Sequence, residues 1–405
     1  MQLRKLGLAF ASFLLPLSFS QALEAVSIYG QIKYAITEQA ENFVQVDGTS
    51  CAESRNSMGF SDDIPCKVSG AVVASELSYF GVKGGLELGG GLEAFYAGEV
   101  QFAFADQAYY GLRNSAYSGQ SLSARNVYVG LRDLWGELFI GRNDSVLKMA
   151  QGQVDLFNLQ PGGIDDIFAG EIRRDQILNY FSPQWSMFQF GFSLVSSQDP
   201  TQAKPVTYSA SGTPDLPMMG YAAMIRFGDP ALKDHSYHVA LALSKDLAEI
   251  EQRMTLTAES SQGQSGVLNR DVLRFSAQAK FWSLRLGMMY QYQTYADKHL
   301  ENKQVWVKGR PTAVSASVLN NDQHNFLLST GYQIADTEIK LQWVHSDLES
   351  NIYSVGGDYF LESKFKVYFY YTTRYDALML NETGSNTAYY EVDYNSISLG
   401  FEYKF

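Results

Sequence analysis

The feature that most constrains this chain is the run Asn395 to Phe405, NSISLGFEYKF. Ile397, Leu399, Phe401, Tyr403 and Phe405 fall on one parity, and Ser396, Ser398, Gly400, Glu402 and Lys404 on the other. Successive side chains of a strand point to opposite faces, so a β-strand here has one apolar face and one polar face. Left as an open edge, such a strand would template pairing with other chains. A barrel closed against the first strand and sitting in lipid pairs the backbone and covers the apolar face at once. That first strand reads from Ala25 to Thr37, where Val26, Ile28, Gly30, Ile32, Tyr34 and Ile36 alternate with Ser27, Tyr29, Gln31, Lys33 and Ala35.

The same alternation recurs along the chain. A long polar segment to about residue 71 leads to a strand from Val72 to Gly84, and Gly85 to Gly91 turns into a third that ends near 105. Further strands are expected at about 121–133, 136–143, 172–182, 186–197, 218–228, 235–246, 270–281, 284–296, 323–334, 337–347, 351–361, 364–376 and 393–405. Short turns, such as Asp133 to Gly136, Trp282-Ser283, Ala335-Asp336 and Glu362-Ser363, alternate with long connections, apart from the brief Leu348-Glu349-Ser350. The expected fold is therefore all-β: a 16-stranded antiparallel transmembrane β-barrel with short periplasmic turns and long extracellular loops. A soluble sandwich gives no reason for its loops to segregate to one end, and its strands are usually shorter. Trp135, Trp185 and Trp282 each fall at a short turn, where an amphipathic indole suits the membrane interface.

Arg4 and Lys5 precede an apolar run from Leu6 to Phe19, and Ser20-Gln21-Ala22 supplies the small residues of a cleavage site. Residues 1–22 are read as a signal peptide and 23–405 as the barrel domain. Downstream no run approaches the ~18 apolar residues of a membrane helix, while aromatics reach 14% of the 405 residues. Loss of the two leader cations takes the net charge from −12 to −14, which argues against nucleic acid as a partner. Cys51 and Cys66 share one polar segment, and in an exported chain they read as a local disulfide. Asp62, Asp63 and two thiols are too few for a metal site, and no cofactor is implied.

Catalytic motifs are weak. Gly89-Gly90-Gly91-Leu92-Glu93-Ala94 matches G-x-G-x-x-A, but a strand-like sequence follows where phosphate binding needs a helix. His235 and His238 form H-x-x-H, yet residues three apart on a strand face opposite ways. His299, His324 and His345 are tied to no recognisable catalytic string, so an outer-membrane hydrolase is the lesser reading. A substrate-specific channel, or a barrel receptor or adhesin, is the other alternative. Lys366, Tyr368, Tyr370, Thr372 and Arg374 share one parity and read either as a sugar slide or as packing near the wall.

Taken in order, SIYGQIKYAI (27–36), FGVKGGLELGGGLEA (80–94), ARNVYVGL (124–131), WGELFIGRND (135–144), ILNYFSP (177–183) and the final SLGFEYKF give a chain that resembles the trimeric general porins of Gram-negative outer membranes. The resemblance implies a homotrimer in outer-membrane lipid and lipopolysaccharide, with a water-filled pore for ions and small hydrophilic solutes. It also implies recognition of the terminal strand by the barrel assembly machinery. The third long loop, here about 145–171, would fold inward and face a ladder of basic side chains across a constriction. Carried over, that ladder comprises Lys33, Lys83, Arg125, Arg142 and, less directly, Arg173 and Arg174; the loop acids are Asp155, Asp165, Asp166 and Glu171. Tyr79 stands where the pattern usually has an arginine, which weakens the ladder.

Overall fold

The computed structural model of the chain describes residues 26–45, 67–75, 77–102, 122–158, 160–165, 167–195, 220–248, 258–259, 265–266, 270–295, 304–307, 310–312, 322–347, 350–383 and 386–405. The leader, the Cys51 and Cys66 pair, and Asp166 lie outside the described residues.

Sequence alternation becomes a closed wall. The strands are β1 (Ser27–Gln45), β2 (Lys67–Ser75), β3 (Ser78–Gly89), β4 (Leu92–Phe102), β5 (Leu122–Asp133), β6 (Gly136–Asn143), β7 (Arg174–Phe181), β8 (Phe188–Val195), β9 (Gly220–Gly228) and β10 (Tyr237–Ala248). After two short segments, β11 (Ala258–Glu259) and β12 (Ser265–Gly266), come β13 (Arg270–Phe281) and β14 (Leu284–Tyr295). Next are the short β15 (Gln304–Val307) and β16 (Arg310–Thr312), then β17 (Gln323–Ile334), β18 (Thr337–Ser346), β19 (Ser350–Glu362), β20 (Phe365–Thr383) and β21 (Asn386–Lys404). Seventeen of these join one sheet, in which β21 returns to pair with β1. Because β2 and β3 share one position beside β1, the ring has sixteen positions. The return of β21 to β1 closes the ring, so that neither the first nor the last strand is left as an open edge, which a lipid environment demands.

The break between β2 and β3 is a local device that periodicity alone did not reveal. β1 pairs with β2 from Tyr34↔Ser75 to Asn42↔Lys67, and with β3 from Ser27↔Lys83 to Gln31↔Tyr79. At the gap Leu77 adopts a left-handed φ of +79°. There the Ser78 hydroxyl accepts from Lys33 N at 3.0 Å and donates to Lys33 O at 3.1 Å, standing in for the missing ladder partner.

Two expectations are revised at the loop end. The expected connection between the last two strands is largely strand, since β20 and β21 extend to Thr383 and from Asn386. In addition, β11, β12, β15 and β16 form a separate four-stranded sheet from two connections read as loops. The short turns fall where expected. Trp282 and Ala335 take left-handed φ values of +52° and +48°, as tight hairpin turns require.

Closure is sealed at Gly30. Gly30 N donates to Phe405 O at 3.2 Å and Phe405 N to Gly30 O at 3.1 Å. A Cβ on Gly30 would lie 2.6 Å from both Phe405 Cζ and Tyr79 O, so only glycine leaves the terminal ring its seat. Ile397, Leu399, Phe401, Tyr403 and Phe405 are exposed on the outer surface, whereas Ser396, Ser398 and Glu402 are buried inside. Trp135, Trp185 and Trp282 are exposed at the short-turn end.

Candidate functional site, the inward loop and its facing wall

The segment between β6 and β7 folds inside the barrel. It opens with a short helix, α1 (Val146–Met149), capped by Ser145, whose hydroxyl accepts from Lys148 N. Val146, Leu147, Ala150 and Ala169 pack on inward side chains such as Phe181, Val195 and Met224. Farther on, Val154, Ile164, Ile167 and Phe168 pack on Met289, Leu327, Val344 and Ile352. Phe157 reaches Tyr370, with ring centroids 5.0 Å apart. The loop therefore lies along the inner wall from β8 to β20, anchored by apolar contacts that would be unpaired in a water-filled lumen.

Polar side chains of the wall satisfy the loop backbone. Gln278 Oε1 accepts from Gln153 N at 2.9 Å, and Ser329 donates to Val154 O at 2.6 Å. Gln342 accepts from Leu156 N at 2.8 Å and donates to Asp155 Oδ1 at 2.8 Å and Gly162 O at 3.0 Å. These buried bonds matter because a loop carries backbone groups that no ladder pairs.

The predicted loop acids do not act alike. Asp155 is turned into the loop and accepts from Phe157 N, Ile164 N and Gln342. Burial, then the neighbouring charge of Asp165, pushes its carboxyl up to about 7. Glu171 is fully buried and pairs with Arg274 of β13 at 2.7 Å; Asp165 is also buried. Asp144, outside the loop acids the resemblance singles out, meets basic side chains at the loop's own two ends. It lies 3.5 Å from Lys148 and 3.6 Å from Arg173. Burial opposes its charge, but Lys148, Arg173 and Arg125 outweigh that and hold the carboxyl below its ordinary range.

The wall of β1, β3, β4 and β5 carries the other half of the site. Arg125 stands 4.1 Å over the Tyr79 ring and 3.1 Å from Glu99 Oε2. Glu99 also accepts from Tyr29 at 2.9 Å and Asn126 at 2.8 Å, and Asn126 accepts from Arg173 at 3.1 Å. A continuous polar chain thus runs from Tyr29 through Glu99, Asn126 and Arg173 to Asp144 on the loop. Lys83 lies 5.2 Å over the Tyr29 ring, and Lys33 lies 5.5 Å over Tyr368. Arg125 and Lys33 are on the shielded face, as is Arg174, which pairs with Asn143 at the loop's exit. Tyr79, where an arginine was expected, instead supplies a π face to Arg125.

Arg142 corrects one expectation. It shares parity with Leu138 and Ile140 and pairs with Val127, all three exposed on the outer surface. Its guanidinium binds Asp175 at 2.7 Å and donates to Ala124 O at 3.1 Å. A lipid-facing arginine near the midplane would be costly. Arg142 sits at the loop end of β6 and is paired, so that cost does not apply.

Lys366, Tyr368, Tyr370, Thr372 and Arg374 do share the inner face. They are covered rather than open, with Tyr370 under Phe157 and Thr372 bonded to Ser354 beneath Gly162. Lys340, Lys366 and Tyr370 converge on Asp358 at 2.6, 2.8 and 2.5 Å. Packing is the reading this arrangement favours. His238 is buried on the inner wall, and His324 and His345 bond Tyr290 and Asn351, 2.8 and 3.0 Å away.

A closed sixteen-position barrel with an inward loop opposite a cationic wall defines the channel-forming class of outer-membrane barrels. The family model for Gram-negative porins matches residues 9–377, and the chain belongs to that family. A curated relative, an outer membrane porin protein of Bordetella pertussis, is 30% identical over 143 residues. That match spans 34% of this chain and 35% of the relative, about a third of each. Among solved structures, the anion-selective porin from Comamonas acidovorans superposes with a TM-score of 0.60 at 15% identity, covering 94% of this chain and all of that one. In-vitro folded OmpT of Vibrio cholerae, in its trimer form, gives 0.54 at 11% identity over 94% and 99% of the two chains. At these identities the structural likeness shows the fold. The chain is an outer-membrane β-barrel.

Proposed function

We propose that the chain forms a water-filled channel for passive diffusion of ions and small hydrophilic solutes, assembled as a homotrimer. The observation that carries this reading is the loop fastened along one side of the inner wall. Polar and cationic side chains of β1, β3, β4 and β5 face it. Such an arrangement narrows a lumen without filling it with a domain, and charge at the narrowing sets selectivity.

Lys33, Lys83, Arg125 and Arg173 line the proposed path against Glu99 and Asp144, and the excess of cations favours anions. The excess is modest because Arg125 and Arg173 already have acidic partners. Trimer assembly is supported by the trimer form of the Vibrio cholerae structural neighbour. No turnover is required, and among the described residues His324 and His345 are engaged in stacking and hydrogen bonds with Tyr290, Trp343 and Asn351.

Liposome swelling tests this reading. Vesicles containing the folded protein should swell in isotonic solutions of small sugars, more slowly as the sugar grows. Vesicles with folded protein that stay osmotically tight to the smallest sugar would contradict it.

A further inference from the structure

We infer that Arg274 is the positioning residue that closes the neck of the inward loop, and so fixes the size limit of the channel. This rests on the channel reading above. Arg274 lies on the inward parity of β13 between Val272 and Ser276 and is fully buried. It does not point into water. Its Nη1 donates to Leu147 O at 3.1 Å, at the entry of the loop, and its Nη2 to Ala169 O at 3.0 Å, at the exit. One guanidinium therefore ties both feet of the loop to a single point of the wall.

The remaining contacts brace that point. Glu171 Oε1 lies 2.7 Å from Nη1, and Nε donates to Gln291 Oε1 at 2.7 Å. Gln291 donates in turn to Ala169 O at 3.2 Å, and Lys148 donates to Glu171 O. A planar fork with several fixed donors can serve two carbonyls and a carboxylate together; an ammonium cannot reproduce that geometry. The tip is held separately, through Gln342 to Asp155 and Gly162. Neck and tip are therefore distinct tethers. Releasing the neck loosens the two feet of the loop while the tip keeps its own bonds, whereas the ion pair alone is dispensable as long as the two carbonyl bonds remain.

The test compares wild type, E171Q, R274Q and the double variant R274Q/E171Q in planar bilayers and in swelling vesicles. The folded fraction is measured first, by heat-modified gel migration. The double variant removes both charges together, so it leaves no unpaired buried charge and is expected to fold even if R274Q does not. Folded E171Q, in which Arg274 loses its counter-charge and some stability but keeps both carbonyl bonds, should show a wild-type size limit and quiet current. R274Q and the double variant should admit larger sugars and show increased open-channel noise. A purely structural arginine would lower the unfolding temperature without moving the size limit. Folded double variant with wild-type noise and wild-type size limit would overturn the inference. A wild-type protein that does not conduct would instead sink the channel reading itself.

Discussion

Gly162 offers the sharpest test that the inward loop forms one rim of the path. A Cβ placed there would lie 2.1 Å from Ser354 Oγ, 2.8 Å from Thr372 Oγ1 and 3.0 Å from Ser354 Cβ. Against an ordinary separation of roughly 3.5 Å the worst of these overlaps is about 1.4 Å. Two responses are open to G162A. Ser354 can rotate, but its hydroxyl is bonded to Thr372 at 3.0 Å, and orphaning buried hydroxyls costs about 1–3 kcal/mol. Otherwise the tip moves toward the lumen by roughly 1 Å, loosening the bond from Gln342 to Gly162 O. The second response narrows the path. Single-channel conductance of folded G162A should fall, and the largest sugars that enter vesicles should slow most. S354A placed on G162A removes the closest atom and should restore part of the loss. Wild-type conductance and size limit in folded G162A would refute the claim that this tip borders the path.

Other consequences are independent. Asp155 keeps its proton up to about pH 7 in the folded chain but loses it near pH 4 when unfolded, so the folded state binds more protons between those values. Stability therefore declines as pH rises from about 4 to 7, by roughly 4 kcal/mol at 1.36 per unit. D155N should flatten that part of the pH profile of unfolding, and an unchanged profile would contradict the assignment. R125E should move the zero-current potential in a salt gradient toward cation preference, whereas R142E, on the outer surface, should leave it in place. A shift with R142E would reverse the facing given to that strand. G30V should slow folding into vesicles and lower the heat-modifiable fraction, because the Phe405 ring loses its seat. Folding at the wild-type rate would show that the slot is dispensable.

The wall was legible in the sequence because a period-two pattern needs no knowledge of partners. Ile397 to Phe405, and Val26 to Ile36, each announce a lipid face, and the short turns at Trp282 and Ala335 fixed the hairpins. The interruption at Leu77 was not legible, since it depends on Ser78 meeting Lys33 across a gap between strands far apart in sequence. Inside the barrel, the resemblance suggested Lys33, Lys83 and Arg125 as members of a basic ladder, but not which acids would face them. Asp155 and Glu171 looked available as loop carboxylates, yet one organises its own turn and the other is sealed against Arg274. Arg274 carries a signal in the sequence, as a charged residue in mid-strand on the polar parity of LRFSAQAK. The glutamines Gln278, Gln291, Gln293 and Gln342 lie on inward faces of their strands and are buried. Only the folded loop shows that they serve its backbone.

The central claim is that the folded barrel holds an open aqueous path beside the inward loop. Planar-bilayer recording of the detergent-folded protein tests it most directly. The predicted result is stepwise current increments, ohmic at low voltage, that grow in proportion to bulk salt, with a zero-current potential on the anion side in a potassium chloride gradient. Protein that is fully folded by heat-modified migration, inserts into the bilayer, and gives no conductance steps would contradict the account.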